Sequence, residues 1–275
     1  MKNIIFALCI FFLAGKAHAG PVFIVAAENF YGGVAQQVVG SSATVTSILS
    51  NPNQDPHEFQ SDAATAEAVA NADIVIYSGI GYDDWMEKLL GVQGKHSRVV
   101  INVSELIGAK EGDNPHIWYS PDTMVALANK LAEVVGDPGD AAKFIASLKP
   151  LTERIKLLKA KTSGVKVTAT EPVFGYMATA LGFDMLNDGY QLAVMNGTDP
   201  SFQQTADFQK SLSDKIVKIL FYNSQVTDPS TAQMQSLAKA SGVPVVGVTE
   251  TQPLDQKTYL SWMLSELEKV QAVLK

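Results

Sequence analysis

The chain has 275 residues, 47% hydrophobic and 18% charged, a globular balance with enough length for two modest domains or one large one. Its formal charge of −7 repels phosphate backbones, which excludes nucleic acid as the expected partner, and agrees with a cationic ligand. A single cysteine excludes a disulfide-stapled scaffold.

The first nineteen residues read as a secretory signal peptide. "MKN" is a short basic start, "IIFALCIFFLAG" an apolar run too short to span a bilayer, and "AHA" before Gly20 a small-x-small cleavage site. Cys9 sits in the middle of that run, whereas a lipoprotein needs its cysteine at the cleavage point. The expectation is therefore a free periplasmic protein with no lipid anchor. Removal of residues 1–19 takes away Cys9, His18, Lys2 and Lys16, leaving 19 basic against 28 acidic residues, a charge of −9. Without a thiol, stability has to come from the size of the core.

Beyond Gly20 the chain alternates. "VFIVAA" (22–27) suits a buried strand and "FYGGVAQQVVG" (30–40) has helical spacing. "TVTSIL" (44–49) is a β-branched run leading into "NPNQDPHEFQSD", the loop that carries His57. "SDAATAEAVANA" (61–72) is an Ala-rich helix behind a capping Ser-Asp. "DIVIYS" (73–78) and "SRVVINV" (97–103) are strands around the helix "DDWMEKLLG" (83–91). Strand–helix alternation of this kind predicts a parallel sheet covered on both faces. Residues 122–163 contain no strand-like run and predict two helices parted at "GDPGD", with Pro150 kinking or interrupting the second. The alternation then resumes, with strands at "VKVTAT" (165–170), "FDMLN" (183–187), "KILFYN" (218–223) and "VPVVGV" (243–248), and the chain closes on a long amphipathic helix. The predicted organisation is a signal peptide (1–19), an N-terminal α/β lobe (20–121), a helical connector (122–163) and a C-terminal α/β lobe (164–275).

Past the signal peptide three histidines remain. A lone loop histidine is ordinarily a solvated surface residue. His96, among Lys95, Ser97 and Arg98, fits that description, since cations repel a metal. His57 and His116 differ: Pro56 and Pro115 fix the backbone before each ring, and both loops follow a strand, where open α/β sheets gather ligands. The second lobe has no histidine, so a metal site shared between lobes would need oxygen ligands from it. Glu171 directly follows "VKVTAT" and Glu250 follows "VPVVGV". One strand-end glutamate is usually a cap or a solvated charge. Two at equivalent places, opposite two Pro-His loops, favour a metal site.

These blocks carry a resemblance. "AAENFYGGVAQQVVG" (26–40), "ILSNPNQDPHEFQSD" (48–62), "NPHIWYSP" (114–121), "ATEPVFGYMATALGF" (169–183), "VVGVTETQP" (245–253) and "TYLSWM" (258–263) match, in order, the periplasmic substrate-binding proteins of zinc and manganese ABC importers. The match covers essentially all of the chain after the signal peptide, and the Pro-His blocks are its most specific part. The resemblance implies two lobes bridged by a long rigid helix, with a metal in the cleft held by His57, His116, Glu171 and Glu250. It also implies delivery to an inner-membrane permease, and a monomer is expected. Two departures bear on the metal: zinc-specific members often have histidine where this chain has Glu171, and a His-rich loop that this chain lacks. The fourth ligand is often Asp, so Glu250 is one methylene longer, with Asp255 as the fallback.

Two imidazoles and two carboxylates form a borderline-hard set that suits Zn²⁺ or Mn²⁺, with Fe²⁺ third. Calcium prefers an all-oxygen shell. Neutral imidazoles are needed, so binding should weaken below about pH 6. Two alternatives stay open: a binding protein for a metal chelate or small organic solute, with Phe30, Tyr31, Trp118 and Tyr119 either lining its pocket or packing the lobes, and a periplasmic metallohydrolase. Against the hydrolase, four protein ligands close the position a catalytic water needs, and neither a His-Glu-x-x-His helix nor a Gly-x-Ser-x-Gly elbow is present.

Overall fold

A computed structural model of the protein describes residues 22–274, apart from 53, 55, 57, 58, 93, 227 and 228. The signal peptide read at residues 1–19 lies outside the described residues.

The first lobe holds β1 (Val22–Glu28), α1 (Asn29–Val39), β2 (Ala43–Leu49), α2 (Ala63–Asn71), β3 (Ile74–Tyr77), α3 (Asp84–Leu90), β4 (Val99–Asn102) and the single turn α4 (Val103–Leu106). Its strands are parallel in the order β2-β1-β3-β4. β1 is central and its apolar run is unbroken because both faces are covered. The period-2 alternation divides it: Ile24 and Ala26 enter one core, Val25 and Ala27 the other, and Ile74 and Ile76 are likewise separated from Val75 and Tyr77 on β3. All four predicted strands are present.

The connecting segment is built of three helices, where the sequence pattern suggested two: α5 (Pro121–Val135), α6 (Pro138–Ser147) and α7 (Lys149–Thr162). Gly136, at φ 77°, closes α5, and the Asp137 carboxylate accepts from the Gly139 amide to open α6. Pro150 falls in the first turn of α7, where its missing N–H costs nothing, so the predicted interruption becomes a clean break after Ser147. α5 and α6 pack on α1, and α7 packs on the last helix.

The second lobe holds β5 (Lys166–Ala169), α8 (Gly175–Ala180), β6 (Asp184–Leu186), α9 (Asp188–Met195), α10 (Phe202–Ser213), β7 (Leu220–Asn223), α11 (Pro229–Ser241), β8 (Val245–Val248) and α12 (Tyr259–Val273). Its parallel strands run β6-β5-β7-β8, the same permutation as in the first lobe. One continuous apolar core crosses the junction, joining Phe30 and Trp118 to Phe174, Phe221 and Trp262. The aromatics left open by the sequence are packing residues: Phe30 stacks on Trp118 with centroids 4.6 Å apart, and Phe30, Tyr31, Trp118 and Tyr119 are all fully buried.

Candidate metal centre

In each sheet the first strand lies between the second and the third. The crevice of a doubly wound sheet opens at that reversal, beyond the carboxyl ends of the strands. In the first lobe those ends deliver Glu28 from β1, the Ser78–Asp83 turn after β3, and His116 from the loop after α4. In the second they deliver Glu171 after β5, Asn223 at the end of β7, and Glu250 two residues after β8.

The two sets meet. His116 Nε2 lies 3.7 Å from Glu250 Oε1, and both residues are buried. Glu250 Oε1 also accepts from the Tyr82 hydroxyl at 2.9 Å, across the lobe boundary. Asn223 donates through Nδ2 to Glu250 Oε2 at 2.7 Å and, more weakly, to Glu171 Oε2 at 3.4 Å. One neutral amide thus spans the two carboxylates of the second lobe. Glu171 is nearly buried as well, at 9% exposure.

The loop bearing Glu250 is fastened from both sides. The first lobe donates to its backbone carbonyls through Trp118 Nε1 to Glu250, Tyr119 Oη to Thr249 and Asn29 Nδ2 to Gln252. From α12, Trp262 Nε1 donates to the Thr249 hydroxyl, which in turn donates to the buried Glu266 carboxylate, paired with Lys269 at 3.0 Å. Burial holds the Glu266 carboxyl above its usual range, and Lys269 pulls against that shift.

His116 is gripped by Asn114. The amide oxygen of Asn114 accepts from the His116 backbone N–H at 3.1 Å and lies 2.7 Å from ring Nδ1. Its amide nitrogen donates across the cleft to Pro172 O at 2.7 Å, and Tyr176 Oη donates to the Asn114 carbonyl at 2.9 Å. Beyond Asn114 opens a cavity of about 400 Å³ between the lobes, walled by residues such as Asp113, Tyr176, Asp188 and Gln191 and by none of the described candidate ligands.

Behind the centre lies a second pair of carboxyls that sequence patterning did not single out. Glu28 and Asp83 are fully buried. Asp83 accepts from the Ser78 and Gly79 amides at 2.6 and 2.8 Å. The two carboxyls lie beside each other as a side-chain pair, although neither Glu28 oxygen reaches good hydrogen-bond geometry. Burial, and then the Asp83 charge, raise Glu28 well above the carboxylate range, with Glu250 adding to the same direction. Burial pushes Asp83 up to about 7 against the two amide donors that favour its anion. The buried junction thus gathers four carboxyl groups, Glu28, Asp83, Glu171 and Glu250, whose ionisation a cation would favour.

Of the predicted ligands, the structure brings His116, Glu171 and Glu250 into one linked group. His57 lies outside the described residues. Asp255 and His96 are exposed. Among the described residues no three His, Cys, Asp or Glu side chains stand close enough to hold a metal ion by themselves. The site residues that sequence reasoning passed over are Asn114, Tyr82, Asn223, Glu28 and Asp83. Glu28 and Asn223 stand at strand ends and Asn114 two residues before His116, positions that were signals available for finding them, whereas Tyr82 and Asp83 lie in the turn ahead of α3 and carried no such signal.

The chain matches the family described as zinc-uptake complex component A, periplasmic, over residues 24–273, and belongs to that family. It is 25% identical over 248 residues to the manganese-binding lipoprotein MntA of Bacillus subtilis, covering 83% of this chain and 79% of that one. It is 24% identical over 287 residues to the iron ABC transporter substrate-binding lipoprotein MtsA of Streptococcus pyogenes, covering 92% and 89%. Among solved structures, the periplasmic zinc-binding protein TroA of Treponema pallidum superposes with a TM-score of 0.75 at 17% identity, over 93% of this chain and 99% of that one, which establishes the two-lobed fold.

Proposed function

We propose that this protein is the solute-binding component of an ABC importer, capturing a divalent transition-metal ion between its lobes in the periplasm and delivering it to an inner-membrane permease. The observation that carries this reading is the meeting of a first-lobe imidazole and a second-lobe carboxylate, His116 and Glu250, 3.7 Å apart in a buried, acidic junction. Two hydrogen-bond acceptors held face to face suit a cation between them when the imidazole is neutral. On this reading His57, His116, Glu171 and Glu250 are the ligands. Four side chains close the shell and leave no position for a catalytic water, so the ion is cargo rather than a catalyst. A cleavable signal peptide without a lipid anchor, and a monomer, complete the proposal.

The cargo is zinc or manganese, with ferrous iron behind them. The relatives' names span all three metals and so do not choose, and the affinity order favours zinc whatever the cell delivers. A second reading, capture of a chelate or small organic solute, draws on the cavity of about 400 Å³ beside Asn114. Metal content of protein from its native periplasm, followed by titration of metal-free protein, separates the two. His116→Ala and Glu171→Ala should each lose affinity by tenfold or more. Wild-type affinity in both variants, or an organic molecule co-purifying in place of a metal, would overturn the metal reading.

A further inference from the structure

Asn114 touches both lobes, and its orientation can be deduced from its neighbours. A side-chain amide is ambiguous until its partners decide which end is oxygen. Here both ends are decided independently. The His116 backbone N–H can only donate, so the atom 3.1 Å away is the amide oxygen. The Pro172 carbonyl can only accept, so the atom 2.7 Å from it is the NH₂ group. The same amide oxygen is 2.7 Å from His116 Nδ1. An oxygen that can only accept requires a hydrogen on Nδ1, and a neutral imidazole then carries its lone pair on Nε2, the nitrogen on the side of Glu250.

We propose that Asn114 is the positioning residue of this centre: its amide oxygen fixes His116 as the Nδ1–H tautomer with Nε2 presented to the metal, and its amide nitrogen ties that ring to Pro172, the residue after Glu171 on the other lobe. The metal-facing half of this inference rests on the function proposed above; the tautomer half does not. The fold makes room for this amide. A Cβ on Gly175 would come 2.7 Å from Asn114 Nδ2, so a side chain at 175 would displace it. Tyr176, the next residue, holds the Asn114 backbone from the same helix. The first turn of α8 therefore forms a seat for one first-lobe side chain, with glycine under the amide and a hydroxyl on the carbonyl. Because the amide contacts a ligand histidine with one end and the neighbour of a ligand glutamate with the other, the orientations of ligands from opposite lobes are coupled through a single residue.

The test uses metal-free protein labelled with ¹⁵N at histidine and observed at pH 8, where two-bond ¹H–¹⁵N correlations distinguish the two neutral tautomers, together with Zn²⁺ affinities from chelator competition. Wild-type His116 should be the Nδ1–H tautomer. Asn114→Ala should shift His116 to the other tautomer or a mixture and weaken Zn²⁺ binding by roughly 10–100-fold, the usual effect of removing such a partner. Gly175→Ala should act in the same direction, so the proposal can be judged even if Asn114→Ala folds poorly. Asn114→Asp keeps the acceptor and loses the donor; it should restore the Nδ1–H signature and recover affinity relative to Asn114→Ala. A wild-type His116 protonated at Nε2, or an Asn114→Ala protein with unchanged tautomer and unchanged Zn²⁺ affinity, overturns the proposal. His116→Ala serves as the control: wild-type Zn²⁺ affinity in that variant would count against the metal reading, while the tautomer spectrum still decides the role of Asn114.

Discussion

Replacing Glu28 with glutamine should change the pH dependence of stability more than stability itself. In the folded protein burial and the neighbouring Asp83 raise the Glu28 carboxyl well above the carboxylate range, so it stays protonated as pH rises. In the unfolded chain it ionises near pH 4 to 4.5, at about the ordinary glutamate value. The sign follows from linkage. Through the window above pH 4.5 the folded state holds a proton that the unfolded state has lost, so stability is greatest at low pH and declines as pH rises towards the folded-state value. Each retained proton is worth about 1.4 kcal/mol per pH unit. From pH 5 to 7, wild type should therefore lose up to about 3 kcal/mol relative to Glu28→Gln, whose amide is neutral throughout and can still donate to Asp83. Asp83, raised to about 7 from 3.8, adds a decline of the same sign between about pH 4 and 7, and because Glu28 is one of the groups acting on it the comparison reads the pair together. Urea denaturation of chelator-treated protein at pH 5, 6 and 7 measures the difference directly. A wild-type-minus-variant gap that stays constant within about 0.5 kcal/mol over this range would show that Glu28 is ionised in the fold, and the buried-pair argument would fail.

Other consequences can be measured in the same preparations. Asn223→Ala removes the amide shared by Glu171 and Glu250; unfolding free energy should fall by ~1–3 kcal/mol and Zn²⁺ affinity by at least tenfold, and wild-type values for both would discount its bridging role. Tyr82→Phe deletes the hydroxyl that donates across the lobes to Glu250; a stability loss of about 1 kcal/mol is expected in denaturant melts, with the fold retained by circular dichroism. Gly32→Ala would drive a Cβ into the Ser47 hydroxyl, where α1 crosses β2. The single variant should lose ~1–3 kcal/mol by overpacking, and adding Ser47→Ala should recover most of it; equal melting temperatures for the single and double variants would reject that steric account.

The eight strands were legible because each is a short β-branched or apolar run bounded by turn residues, and parallel burial keeps those runs unbroken. Glu171 and Glu250 were legible for a related reason: a carboxylate directly after such a run points to the ligand-binding end of the sheet. Strand order is not written in any local pattern, and that hid the rest. Glu28 looks like the residue ahead of a helix until β1 is known to lie beside β3, which brings Asp83 against it. Asp83 itself reads as part of a helix start, and the structure uses its carboxylate to hold the turn after β3. Asn223 ends a strand like the glutamates do, but an amide announces no metal chemistry, and its role appears only when the ends of β5, β7 and β8 are seen together. The second connector helix divides in two because Pro150 begins a helix here, an outcome the sequence left as a choice between a kink and an interruption.

The fastening of the Thr249–Gln252 loop has a mechanical consequence. Chain order assigns Glu250 to the rear lobe, yet Tyr82, Trp118, Tyr119 and Asn29 hold its segment to the front one. The rear lobe holds the same carboxylate through Asn223, so a parting of the two sheets has to break one of these two sets of bonds as well as the Asn114–Pro172 bond. Glu250 is thus a tether between the lobes as well as a proposed ligand, and release to a chelator followed by stopped flow should quicken when either hold is removed, by Tyr82→Phe or by Asn223→Ala.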